Sequence, residues 1–203
     1  MVGFRREARQ SRRRADEQFR LRRRLLVEDV AALARQLAAL DASLGEDHER
    51  AVSSCESARS ALADVTDVEG LGPVESAVTE GRYRLACVLA SQDGLPLPAR
   101  LPECFFNPQH GPSTTEVAWI STDGDERRVP ACRADAERLA NDERPDIRMA
   151  RVGERMVPWF DAEKHTETAR TRTKIDYRAI TQARKETMWV SGEKFEKNNS
   201  REY

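Results

Sequence analysis

No lysine occurs before residue 164, aromatic residues make up only 6% of the chain, and no apolar run approaches membrane-spanning length. A bilayer-crossing helix needs ~20 consecutive apolar residues, so none is expected here. The N-terminus carries no apolar core of the kind that marks a secretory leader, so no such signal is read there. Cysteine is scarce, at four in 203 residues. Two of the four, Cys55 and Cys87, fall among apolar helical positions, where small buried thiols need no further role. That usage does not make a disulfide framework, and a reducing cytoplasm is the expected setting. Phosphate-binding glycine loops, a G-x-S-x-G elbow and an H-E-x-x-H helix are all missing. The three histidines, His48, His110 and His165, lie in three separate segments. A nucleophilic pairing of Cys104 with His110 would lack an orienting partner, so a non-catalytic protein is expected.

What the chain does have is charge. Charged residues supply 34% and hydrophobic ones 39%, with a net charge of −1. That balance is too polar for one thick core and suits exposed helical surface. The charge is unevenly spread: ten arginines lie between Met1 and Leu26 against only Glu7, Asp16 and Glu17. Arg12, Arg13, Arg14, Arg22, Arg23 and Arg24 are candidates for binding nucleic acid or an anionic membrane surface. The opposing reading is a solvated helix face paired with neighbouring carboxylates. Few aromatic residues interleave the arm to stack on bases.

From Phe19 the pattern turns apolar. Phe19, Leu26, Leu33 and Leu40 recur every seven residues, with Val30, Leu37 and Leu44 between them. Alternating spacings of four and three predict a coiled-coil seam, on a helix of about 29 residues from Asp16 to Leu44, ~43 Å long. The seam is also the expected route to self-association or to a protein partner. Two shorter helices follow, one over residues 47–65 and one from Leu71 to Leu89, closed by Gly94 and the Pro96 and Pro98 linker. They fold back along the first as a hairpin or three-helix bundle.

Past the prolines the period changes to two. Thr115, Val117 and Trp119 alternate with Glu116 and Ala118, and the Asp123-Gly124 pair predicts a hairpin. Cys132 to Asn141 reads as a short helix. A second hairpin is predicted from Ile147 to Val152 and Arg155 to Trp159, around Gly153-Glu154. Cys104 and His110 precede the first hairpin; Cys132 and Asp135 open the helix after it. The fold class is therefore α+β. The expected divisions are a basic arm over 1–18, a helical stalk over 19–95, a small module over 99–161 and a flexible or partner-binding tail over 162–203. All five lysines lie in that tail. No small-molecule substrate is suggested.

The order of knuckle, hairpin and helix resembles a treble-clef zinc finger. The resemblance implies Cys104 and His110 as one ligand pair, Cys132 and Asp135 as the other, and a structural zinc ion. Three states of the lobe stay open: metal-bound, reduced and metal-free, or closed by a Cys104–Cys132 disulfide. The stretches CFFNPQHGPSTTEVAW, VPAC, ERPDIRM and GERMVPWF, with EGRYRLACVLA before them, also resemble the cytoplasmic C-terminal region of actinobacterial TPM-domain membrane proteins. That likeness runs over roughly residues 20–161 and implies an architecture with no established activity. A non-catalytic adaptor, built from the stalk and the module, is the leading functional expectation. Nucleic-acid binding through the arginine arm is the alternative.

Overall fold

The computed structural model describes residues 2–40, 45–121 and 124–166, with side chains from residue 7 onward. The expected flexibility of the tail therefore falls, beyond Thr166, outside the described residues, as do Leu44 and Asp123.

Three helices come first: α1 (Val2–Ala38), α2 (Glu46–Asp64) and α3 (Leu71–Gln92). At 37 residues α1 is longer than the seam alone predicts and includes the arginine arm. It begins earlier because residues 4–14 are good helix formers that continue a helix already nucleated and packed downstream. It ends at Ala38, short of the expected Leu44. Gly45, at φ 77°, starts the next segment, and Glu46, Asp47 and Glu49 load the first turn of α2 with the charge that a helix N-terminus favours.

The seam is filled from within the chain. Leu26, Val30, Leu33 and Leu37 are buried with Ala51, Cys55, Ala58 and Leu62 of α2 and Leu71, Val74, Val78 and Leu85 of α3. The heptad pattern thus closes an intramolecular three-helix bundle. Gly81 lets α3 approach α1 closely: a Cβ there would stand 2.6 Å from Leu33 Cδ2. Cys55 and Cys87 are buried free thiols, as their apolar neighbours suggest.

The head follows the linker. Strands β1 (Thr115–Ile120) and β2 (Glu126–Ala131) pair antiparallel with Thr115 opposite Ala131 and Ile120 opposite Glu126. Helix α4 (Arg133–Ala140) comes next, then β3 (Met149–Val152) paired with β4 (Arg155–Pro158). Mixed helices and small antiparallel ribbons make this an α+β fold. The head core gathers Cys104, Phe106, Val129, Ala131 and Cys132, with Val117 and Trp119 packed on it from the alternating strand. Phe106 meets Trp119 edge to face at 5.1 Å, a favoured aromatic geometry.

A 3-10 helix, Trp159–His165, carries the described chain past residue 161, where the sequence places a boundary. Ala162 is fully buried with Leu21 of α1, Ala150 and Val157, so this segment belongs to the packed body. Among the described residues no helix is long and apolar enough to cross a membrane.

Candidate metal centre

The knuckle before β1 is shaped by its own residues. Cys104 N–H donates to Gly111 O at 3.0 Å, and Phe105 N–H donates to Pro130 O at 2.9 Å, which ties the knuckle to β2. Between them a 3-10 turn, Pro108–His110, opens on Asn107, whose side-chain oxygen accepts from Gln109 N–H at 3.1 Å. Proline suits the first position because its missing N–H would be unpaired there. Gly111 leaves the turn at φ 83°, a conformation that favours glycine. His110 is therefore both the turn residue and an inward-facing ring.

The second pair comes from α4. Cys132 is its N-cap and Asp135 lies in its first turn. A carboxylate is favoured there by the helix dipole, and the hairpin register delivers both residues beside the knuckle.

The four side chains converge. Cys104 Sγ, a ring nitrogen of His110, Cys132 Sγ and a carboxylate oxygen of Asp135 all lie within 4.8 Å of one another. Asp135 Oδ2 stands 3.3 Å from Cys104 Sγ, 3.5 Å from Cys132 Sγ and 3.0 Å from His110 Nδ1. Cys132 Sγ and His110 Nδ1 are 3.5 Å apart. A tetrahedral ion with bonds of ~2.0–2.3 Å places its ligands ~3.3–3.8 Å from each other. The separations of 3.0–3.5 Å lie close to that range and the outer bound of 4.8 Å exceeds it, so with a small adjustment these residues could hold a metal ion. Cys104 and Cys132 are free thiols, so the disulfide state is not the one observed.

The surroundings orient these four side chains. His110 Nε2 is 3.1 Å from Asp146 Oδ2, the carboxylate–histidine arrangement that sets ring orientation and raises ligand basicity. Asp135 Oδ1 accepts from the Asp146 amide at 2.8 Å and from Arg138 Nη1 at 2.7 Å. Asp135 is fully buried. Burial alone would raise its pKa, but the Asp146 amide, Arg138 and Cys104 outweigh that and hold it low.

Protons are unevenly shared in the cluster. A hydrogen bond from the Cys132 thiol lowers the Cys104 pKa to about 5, against burial and with help from His110. Cys132 is pushed up by the same bond and by its burial. His110 rises to about 9, first through Cys104, then through Asp135 and Asp146, against desolvation. These shifts make Cys104 the first of the two thiols to ionise and His110 slow to lose its proton, and a cation entering the set would displace the protons that remain.

A second charged cluster, absent from the sequence reading, joins the head to the stalk. Asp29 of α1 is 6% exposed and meets Arg82 of α3 and Arg148 of the head, each at 2.7 Å. Arg82 Nη2 lies out of line for a hydrogen bond to that carboxylate, and its Nη1 donates to Glu103 at 2.9 Å. Burial raises the Glu103 pKa despite Arg82. Arg148 also donates to Leu25 O and Glu28 Oε2, each at 3.0 Å. A cavity of about 770 Å³ opens beside this cluster, walled by Leu21, Leu25, Val78, Trp159 and Phe160 among others. The one available signal was Leu21 and Leu25, an i, i+4 pair off the heptad seam and in line with Asp29.

The six arginines singled out in the sequence do not form one patch. Arg12, Arg13 and Arg14 are exposed on the first half of α1. Arg22 pairs with Glu75 at 2.6 Å, Arg23 donates to Leu62 O at 3.4 Å, and Arg24 donates to Arg151 O. No family model matches the chain, and no curated protein or solved structure matches it either.

Proposed function

We propose that the protein is a non-catalytic adaptor whose head is held together by one structural zinc ion and carried on a three-helix stalk. The observation that supports this best is the four-ligand convergence of Cys104, His110, Cys132 and Asp135. Two thiolates, an imidazole and a carboxylate suit zinc, and four protein ligands leave no open position for substrate or water. A closed shell is the mark of a structural site. A head with so small an apolar core gains much of its stability from such an ion. Four free thiols suit a reducing compartment such as the cytoplasm. Because the heptad seam is filled within the chain, assembly with itself or a protein partner would use the outer surfaces of the stalk and head.

Elemental analysis of the purified full chain tests the metal directly. One zinc per chain is expected, falling to a small fraction in Cys104→Ser. A wild-type protein with no stoichiometric metal sinks the reading. Light scattering at micromolar concentration, with a pull-down, tests the adaptor role; a strict monomer that captures nothing would count against it.

A second reading, nucleic-acid binding, is favoured by the exposure of Arg12, Arg13 and Arg14. Binding to duplex and single-stranded probes across a salt series would then show a steep slope. Replacing the three arginines with alanine should flatten the duplex slope by up to ~0.9 for each phosphate no longer neutralised. Binding to anionic vesicles alone would assign the arm to a membrane surface.

A further inference from the structure

Two short segments of the head carry, almost side by side, a group of the metal cluster and a group that grips the stalk. On the 3-10 turn, His110 Nδ1 stands 3.0 Å from Asp135 Oδ2, while Gln109 Nε2 donates to Asp29 Oδ1 of α1 at 3.0 Å. On the segment before β3, Asp146 holds His110 through its carboxylate and Asp135 through its amide. Two residues on, Arg148 clasps Asp29 at 2.7 Å and Glu28 at 3.0 Å. Arg148 N–H donates to Phe106 O at 2.9 Å, and Trp159 N–H donates to Arg148 O at 3.0 Å, so the clasp is fixed to both the knuckle and the second hairpin. One peptide unit spans 3.8 Å between Cα atoms and has only two soft torsions per residue. Neither segment has slack to absorb a displacement at the ion.

We propose that metal loading of the head and seating of the head on the stalk are one coupled equilibrium. Asp29 is its positioning residue: through Gln109 and Arg148 it sets His110 and Asp146 for the ion, although it touches no ligand. The inference rests on the metal reading above. Coupling between two sites is reciprocal, so what stabilises the seated head also tightens the ion, and the ion tightens the seat. Withdrawing the ion releases the face of α1 that bears Leu21, Leu25 and Asp29.

Zinc affinity of the full chain, by competition with a chromogenic chelator, tests this. Asp29→Asn and Glu28→Gln alter the stalk alone, and Arg50→Gln on α2 serves as the control. Asp29→Asn should weaken zinc about tenfold, Glu28→Gln about two- to threefold, and Arg50→Gln not at all. Amide exchange over residues 21–33 of the wild type should quicken on chelation while α2 is unchanged. If Asp29→Asn fails to fold, Glu28→Gln and the exchange measurement carry the test. Equal zinc affinity across the stalk variants, with α1 exchange indifferent to the ion, overturns the coupling and leaves the metal site standing. No zinc on the wild type removes both.

Discussion

Arg148 and Asp29 are 119 residues apart in sequence and 2.7 Å apart in the structure, with both side chains under a tenth exposed. Breaking a buried pair strands a charge and costs ~3–5 kcal/mol. Removing Arg148 leaves Asp29 with Arg82 and Gln109, whereas removing Asp29 deprives two guanidiniums at once. Urea unfolding should therefore rank Asp29→Ala as more damaging than Arg148→Ala, with the latter near the lower end of that range. The reverse order would mean that Glu28 and Glu103 carry the interface.

Chelation should unpack the head and free the α1 face beneath it, while leaving the three helices formed. Both described tryptophans, Trp119 and Trp159, lie in the head, while the bundle core contains no ligand residue. Near-ultraviolet dichroism should collapse on metal removal, and the helical far-ultraviolet signal should largely persist. Loss of both signals together would show that the bundle depends on the ion.

Gly81→Ala probes a close contact between α3 and α1. The added carbon would press on Leu33, which is fully buried, at 2.6 Å. Overpacking costs ~1–3 kcal/mol, against which alanine regains ~1 kcal/mol of helix propensity. A net loss of ~1 kcal/mol is expected in thermal unfolding. An unchanged or higher melting temperature would show that Leu33 can yield.

Glu80 ties the linker to α3. Arg100 binds both of its oxygens, at 2.6 and 3.0 Å, and Arg84 binds from one turn on. The Arg100 hydrogen bond comes first in lowering its pKa to about 2, with Arg84 assisting and burial opposing. A depressed carboxyl contributes stability above its unfolded pKa of ~4.3 and loses it as pH falls towards 2. The wild type should exceed Glu80→Gln by no more than ~1 kcal/mol at pH 7, the group being partly exposed. That advantage should shrink below about pH 4 and vanish only as pH falls through about 2. A pH-independent difference would trace to packing.

The repeated elements were legible because their signal is local. The heptad apolar residues predict α1, and the two-residue alternation at Val117 and Trp119 predicts β1. The Gly153-Glu154 turn fixes β3 and β4 to within two residues at each end. Cys104, His110, Cys132 and Asp135 were legible as candidates because their residue types bind metals and their positions bracket a hairpin. The destination of the seam was not legible. Leu33 reads the same whether it meets another chain or Val78 of its own.

Arginines 22, 23 and 24 show what adjacency in sequence hides. Successive helical residues turn by ~100°, so three neighbours face three directions. One reaches α3, one α2 and one β3.

By itself, then, the sequence determined which segments coil, which pair and which four side chains have metal-ligand chemistry, since period, turn residues and donor atoms act over a few positions. Tertiary structure decided what those segments face. Asp29 on an amphipathic helix is chemically the same as a solvated carboxylate, until the fold takes water away from it and supplies Arg82 and Arg148 instead.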